Sequence, residues 1–162
     1  MQSPAPYMIR SLTALLRILE KAEAHATARN IKPEVIPNLR LIADMLPLWR
    51  QVTIACDHAK GACGRLSETE VPSFADAEMS LADLKDRIAK TIAYVETIPA
   101  AAFAGAEARH ITVKAGPREL GFAAPDYLYG YALPNFFFHL TTAYNILRSQ
   151  GIAIGKTDFL GG

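Results

Sequence analysis

The chain has 162 residues, which fits one domain and is long enough to bury a hydrophobic core. Hydrophobic residues make up 51% and charged residues 20%, and the 17 basic and 16 acidic side chains are interspersed, which disfavours nucleic acid as a partner. No apolar run approaches the roughly 20 residues of a membrane helix, and the N-terminus lacks a secretory pattern. Only Cys56 and Cys63 are present, so we expect a single cytoplasmic domain over 1–162 with free thiols.

Apolar residues that alternate in spacing between four and three predict the first two helices. The first helix should cover about 7–29, with an apolar stripe from Met8 to Ala26. The second should cover about 38–60, with a kink or a start near Pro47, and should end at the sequence GACG.

The middle of the chain predicts a third helix and then a change of period. Ser80 and Asp83 form a capping-box pattern ahead of a third helix over about 80–98. Apolar and polar residues then alternate roughly over about 110–122 around a Gly-Pro turn, which indicates a short β-hairpin. A lone hairpin is marginally stable in water, so it should pack on the helices.

The last part of the chain predicts a fourth helix over about 134–150, with Pro134 in its first turn, followed by a tail at 151–162 that docks on the helices. Four amphipathic helices most simply form an antiparallel four-helix bundle. The predicted fold class is therefore all-α, with a hairpin before the last helix.

Two columns of polar residues flank the apolar stripes of the second and fourth predicted helices. The first column consists of Asp44, Gln51 and His58, which are seven residues apart. The second consists of Asn135, His139 and Thr142. Columns that face each other across a bundle can enclose a pocket. We therefore predict a small-molecule pocket between the second and fourth helices.

His139 is the best candidate for a catalytic group in that pocket, and Asn135 would be its orienting neighbour. The predicted polar lining is Asp44, Gln51, Asn135, His139, Thr142 and Tyr144. Two other interpretations of these residues stay open: a structural network that only fixes the helix register, and a solvated helix face.

A divalent metal is a further alternative. His58 and His139 could each supply one nitrogen to zinc or nickel, together with a further ligand from Asp44, Asp57 or Asn135. The sequence contains no HxxxH, HExxH or CxxC spacing that would strengthen this interpretation. Cys56 has no obvious basic partner, so nucleophilic catalysis has no better support.

The C-terminal sequence "LPNFFFHLTTAYNILRSQGIAIGKTDFLGG" resembles the signature of an uncharacterised bacterial family, PNF-x-FH-x-x-TAY-x-x-LR-x-x-G followed by GK-x-D-[FY]-LG. The segments "LIADMLPLWRQVTIACDHAKGACGRL" and "SLADLKDRIAKTIAYV" are similar to the middle blocks of the same family, so the resemblance spans nearly the whole chain. The family is a domain of unknown function that is similar to the DinB/YfiT-like four-helix proteins. The resemblance implies a bundle around a central cleft, often in a homodimer.

The resemblance also implies a site. The wider DinB-like group includes metalloenzymes and metal-dependent thiol transferases, whose usual site has one His on the second helix and an HxxxH pair on the last. Here the last helix offers Asn135 and His139, so an amide replaces one imidazole, and His58 is the candidate on the second helix. This departure weakens the case for a metal. The leading hypothesis is a DinB-like protein of uncharacterised function with a pocket centred on His139. The alternatives are a divalent-metal-dependent transferase or hydrolase, and a structural or interaction domain.

Overall fold

Seven α-helices, two short 3-10 helices (Ala100–Phe103 and Ala106–Ala108), one π-helical segment and one β-hairpin make up the computed structural model, within the residues that it describes, 1–75 and 79–162. The helices are α1 (Ala5–Ala28), α2 (Val35–Asn38), α3 (Leu48–Ser67), α4 (Leu81–Glu96), α5 (Ala124–Asp126), α6 (Leu133–Ser149) and α7 (Lys156–Leu160), and the strands are β1 (His110–Ala115) and β2 (Arg118–Ala123). The four long helices α1, α3, α4 and α6 form the bundle, and the hairpin precedes α6. The predicted fold class is therefore confirmed.

Helices α3 and α4 run in the same direction, so the bundle is not antiparallel throughout, as had been expected from the sequence. Asp57 of α3 pairs with Arg87 of α4 at 2.8 Å. Seven residues further along each helix, Gly64 lies beside Tyr94. Both contacts advance together along the two helices, so the connection between α3 and α4 has to return along the bundle. Lys60 holds that connection in place by donating a hydrogen bond to the Pro72 carbonyl at 2.9 Å.

The helix that matters most for the site, α6, runs antiparallel to α3. Near the start of α3, Gln51 contacts His139 in the middle of α6. Near the end of α3, Arg65 contacts Tyr127, which precedes α6 in the chain. Helix α1 packs against α4, and its predicted stripe from Met8 to Ala26 is buried.

The bounds of α3 differ from the expected 38–60. Residues 39–47 form a loop, α3 begins directly after Pro47, and it continues through the sequence GACG to Ser67. Gly64 lies inside this helix. Position 64 requires a glycine because any Cβ there would come within 2.4 Å of the Tyr94 hydroxyl oxygen. The close approach of α4 thus explains a glycine that, by its weak helix propensity, had indicated a helix end.

The helical chain that leads into α6 also begins earlier than expected. Helix α5 starts at Ala124, a π-helical segment follows at Tyr127–Ala132, and α6 continues directly from it. Pro134 has no N–H, and its ring would clash with the carbonyl four residues earlier in a regular α-helix. The wider π turn directly before the proline gives its ring more space from that carbonyl, so the clash is relieved.

The hairpin and the C-terminal residues both pack on the bundle. Strands β1 and β2 are antiparallel, and Ile111 and Val113 of β1 are buried in the core. Ile152 and Ile154 are buried as well, and Lys21 of α1 pairs with Asp158 of α7 at 2.6 Å. In the part of the chain that the structure describes, no helix has both the length and the apolar character needed to cross a membrane.

Candidate functional site

Three polar side chains of α3 face the continuous helical stretch that the π-helical segment and α6 form. Gln51, His58 and Arg65 are seven residues apart, which places them in one column along a helix. Opposite them, in antiparallel order, lie His139 of α6 and the tyrosines Tyr131 and Tyr127 of the π segment. We call this face, with Gln51, His58, Asn135 and His139 at its centre, the histidine site.

A short chain of hydrogen bonds fixes the orientation of the His139 ring. The Gln51 side chain donates from Nε2 to the Leu46 carbonyl at 3.0 Å, and its Oε1 lies 2.7 Å from His139 Nδ1. Since only a donor can face the carbonyl, the Gln51 oxygen must face His139 and act as an acceptor. His139 Nδ1 therefore carries the proton, and Nε2 keeps its lone pair.

His58 lies next to His139 with the two rings stacked. Their ring centroids are 6.1 Å apart at an interplanar angle of 14°, and the Tyr131 ring meets His58 edge-on at 5.8 Å. Both histidines are half-buried. Neither nitrogen of His58 hydrogen-bonds to another group within residues 1–75 and 79–162.

Both imidazoles are neutral near pH 7. Burial lowers the pKa of His58 from 6.5 to about 4, with further contributions from His139 and Arg65 that outweigh the opposing charge of Asp57. The pKa of His139 is also lowered, first by burial and then by the positive charge of Arg50. Two neutral imidazoles side by side can accept protons or hydrogen bonds from a ligand at physiological pH.

The charged groups around this face are mainly cationic. Arg65 donates a hydrogen bond to the Tyr127 hydroxyl at 3.3 Å, and burial raises the pKa of that hydroxyl. Asp57, which neighbours His58 in sequence, is engaged instead by Arg87 at 2.8 Å and Lys60 at 3.1 Å. The nearest carboxylate is thus already neutralised by partners of its own.

The structure brings some of the predicted site residues together and separates others. Gln51 of α3 contacts His139 of α6 and His58 stacks beside His139, while Asn135 lies one turn before His139 on α6. The Asn135 amide donates to the Tyr131 carbonyl at 2.7 Å, so Gln51 rather than Asn135 orients His139. The expected orienting role of Asn135 is therefore corrected.

The other three predicted lining residues do not share that arrangement. Asp44 is exposed in the loop at 39–47, so its expected place on the second helix is wrong. Thr142 is buried, and its hydroxyl donates to the Phe138 carbonyl at 2.7 Å. The Tyr144 ring packs edge-on against Phe159 at 5.6 Å, in a different groove.

Sequence reasoning also missed several residues of this face. Arg65 continues the spacing of seven that links Gln51 to His58, but the expected helix ended too early to include it. Tyr131 and Tyr127 continue the steps of four that run backwards from His139 through Asn135, but this part of the chain was not assigned to a helix. Phe122 of β2 closes the aromatic wall at 5.2 Å from Tyr131, and no sequence signal indicated that contact.

The donor set does not fit a tightly bound zinc or nickel ion. Such sites use three or four strong protein ligands. Within the described residues, no group of three or more His, Cys, Asp or Glu side chains is close enough to hold a metal. His58 and His139 supply two nitrogens, and the other polar side chains of this face are amides, tyrosine hydroxyls and the guanidinium of Arg65, none of which is a usual zinc ligand.

The cysteines take no part in this site. Cys56 and Cys63 are free and buried, and burial raises the pKa of both thiols to about 12. Protonated buried thiols are poor nucleophiles and poor metal ligands.

Comparison with known proteins agrees with this architecture. A crystal structure of a DinB family member protein from Shewanella denitrificans matches with a TM-score of 0.90 and 38% sequence identity, over 98% of this chain and 89% of that chain. The fold is therefore DinB-like. The chain belongs to the family described as Domain of unknown function (DUF1993), whose model matches residues 2–160. No curated protein matches the chain.

Proposed function

We propose that the histidine site binds a small organic molecule through the neutral imidazoles of His139 and His58. The observation that carries this proposal is the chain from the Leu46 carbonyl through Gln51 to His139 Nδ1, with His58 stacked alongside. This arrangement presents a lone pair on His139 Nε2 in a fixed direction. A purely structural histidine pair would be expected to use its remaining nitrogens within the protein, whereas those of His58 have no partner among the described residues.

If the bound molecule has an acidic proton, His139 is the group that would remove it. A general base has to be deprotonated at working pH and held by a second group that fixes its tautomer. The lowered pKa of His139 and its bond to Gln51 supply both conditions. His58, with a pKa of about 4, would accept a hydrogen bond rather than carry a charge.

A thermal-shift screen of small organic molecules at pH 7 tests the proposal. The screen is run on the wild type, on His139→Ala, and on His110→Ala as a matched control that removes an exposed histidine of the hairpin. A ligand present at 100 times its Kd stabilises a protein by about 2.7 kcal/mol, which is several degrees in Tm. We expect molecules that stabilise the wild type and His110→Ala but not His139→Ala.

Two results would contradict a ligand site at His139. One is a set of ligands that all stabilise His139→Ala as much as the wild type. The other is a screen without ligands together with a His139→Phe variant that is more stable than the wild type. That pair of results would favour a structural role, since apolar replacement of an idle polar pair is often stabilising.

A metal-dependent transferase or hydrolase is the second candidate, because two neutral imidazoles lie side by side. Elemental analysis of untagged protein for zinc and nickel tests it, with His58→Ala and His139→Ala in parallel. Stoichiometric metal that is lost in both variants would favour this candidate. From the donor set we expect less than stoichiometric metal.

A further inference from the structure

A separate groove of about 480 Å³ lies where the start of α1, the π segment, the first turns of α6 and α7 meet. Its walls are mostly apolar and aromatic, and they include Tyr7, Tyr129, Leu133, Phe137 and Leu160. This volume falls in the range of roughly 300–1,000 Å³ that is typical of small-molecule sites. We call it the α1–α7 groove.

The apolar walls of this groove are unusually open to solvent. Tyr7, Tyr129 and Leu160 are 51%, 63% and 52% exposed, and Phe137 is 39% exposed. A contiguous apolar surface of this kind marks a binding site more often than a single exposed side chain does. The groove therefore calls for an apolar occupant.

The rim of the groove adds a positive charge. Among the described residues that line the groove, Arg10 of α1 carries a charge and none has a carboxylate. Arg10 is exposed and forms no ion pair within the part of the chain that the structure describes. Ser3 and Ser11 bring hydroxyl groups to the same lining. An anionic group on the occupant would complement this rim.

We propose that the α1–α7 groove binds a small organic anion with an aromatic or branched apolar body, and that Arg10 pairs with its charged group. A second copy of the chain is a poorer occupant. In a two-fold interface the patch contacts other residues of the same patch, and no carboxylate among the described lining residues could pair with Arg10 of the other copy.

This site is distinct from the histidine site, although both use the π segment. Tyr127 and Tyr131 contact Arg65 and His58, whereas Leu128 and Tyr129 line the groove. None of the residues at the centre of the histidine site lines the groove. Binding in the groove can therefore be tested independently of the function proposed for His139.

A matched pair of fluorescent probes tests the proposal. The anion 8-anilinonaphthalene-1-sulfonate carries an aromatic body and one sulfonate, and N-phenyl-1-naphthylamine has the same aromatic body without the charge. We expect the folded protein to bind one equivalent of either probe, and the sulfonate more tightly. Arg10→Gln should weaken sulfonate binding about threefold to tenfold and leave binding of the neutral probe unchanged.

Arg17→Gln is the control for loss of charge, because Arg17 is exposed on the same helix but lies outside the groove. Ser11→Trp should fill the groove and abolish binding of both probes. If that variant fails to fold, Tyr129→Ala, at a largely exposed position, should weaken both probes several-fold.

Four results would overturn the proposal. In the first, Arg10→Gln and Arg17→Gln weaken sulfonate binding equally. In the second, both probes still bind to the folded Ser11→Trp variant as they bind to the wild type. In the third, His139→Ala abolishes sulfonate binding, which would assign the probe to the histidine site. In the fourth, sedimentation shows a dimer that binds either probe only after dilution into monomers, which would make a second copy the occupant.

Discussion

Replacement of His58 should change how the stability of the protein depends on pH. The pKa of His58 is about 4 in the folded protein and 6.5 as its ordinary value. Above pH 6.5 the His58 side chain is mainly neutral in both the folded and the unfolded protein, so it causes no loss of stability there. As the pH falls below 6.5, the unfolded chain binds a proton that the folded protein excludes, so stability decreases until about pH 4.

The size of this loss follows from the two pKa values. Each pH unit between them costs about 1.4 kcal/mol, so at pH 5 the folded protein should have lost about 2 kcal/mol relative to pH 7. His58→Gln removes the titrating group, so the variant should lack this part of the pH dependence. The comparison is between the two pH differences, so any change in stability that the variant has at pH 7 cancels.

Urea unfolding at pH 7 and pH 5 measures the effect, with Trp49 fluorescence as the signal because it is the only tryptophan in the chain. A difference of 2 kcal/mol corresponds to a shift in midpoint of about 1 M. His110→Gln controls for loss of an exposed histidine. If the wild type and His58→Gln lose the same stability between the two pH values, His58 is not held neutral by the fold. With its ordinary pKa of 6.5 the His58 ring would still be mostly neutral at pH 7, but the fold would not keep it neutral at lower pH.

Three further predictions concern single contacts. Gln51→Leu removes the acceptor at His139 Nδ1, so nitrogen NMR should show a mixture of ring tautomers where the wild type shows the Nδ1–H form alone. Gly64→Ala should cost about 1–3 kcal/mol in urea unfolding because its Cβ would overlap Tyr94, whereas Gly130→Ala, with open space at its Cβ, should be neutral or stabilising by up to about 1 kcal/mol. Ser80→Ala should cost about 1 kcal/mol, because Ser80 accepts from the Asp83 N–H at 3.2 Å and caps α4, and an unchanged urea midpoint would contradict this role.

The bundle could be predicted from the sequence because its main signal is local. The apolar stripe of α1 and the capping box of α4 depend on residues within a few turns of each other, and both are present in the structure. The limits of α3 depend on tertiary contacts instead. Gly64 is tolerated inside the helix because Tyr94 packs against it, and no local pattern contains that information.

The histidine site was predictable where helical spacing alone decides the face. Gln51 and His139 were predicted to face each other because helical spacing places each of them beside an apolar stripe. The approach of His58 to His139 depends on the register between α3 and α6, which spacing along one helix does not give. Tyr144 fails because five residues along a helix turn a side chain about 140° away from His139. Asp44 is not part of the site because α3 begins only after Pro47. The spacing of seven residues that links Gln51 to His58 also includes Asp44, and it therefore gave a wrong prediction for this residue.

The π segment explains how four polar or aromatic residues share one face over such a long stretch. Along a regular α-helix each step of four residues overshoots a full turn by about 40°, so Tyr127, Tyr131, Asn135 and His139 would drift around the axis. A π turn is wider, with bonds five residues apart, so four residues fall short of a full turn there and the drift is reversed. The segment at Tyr127–Ala132 thus keeps both tyrosines in line with His139. It also directs Leu128 and Tyr129 to the α1–α7 groove, so one local irregularity shapes both proposed sites.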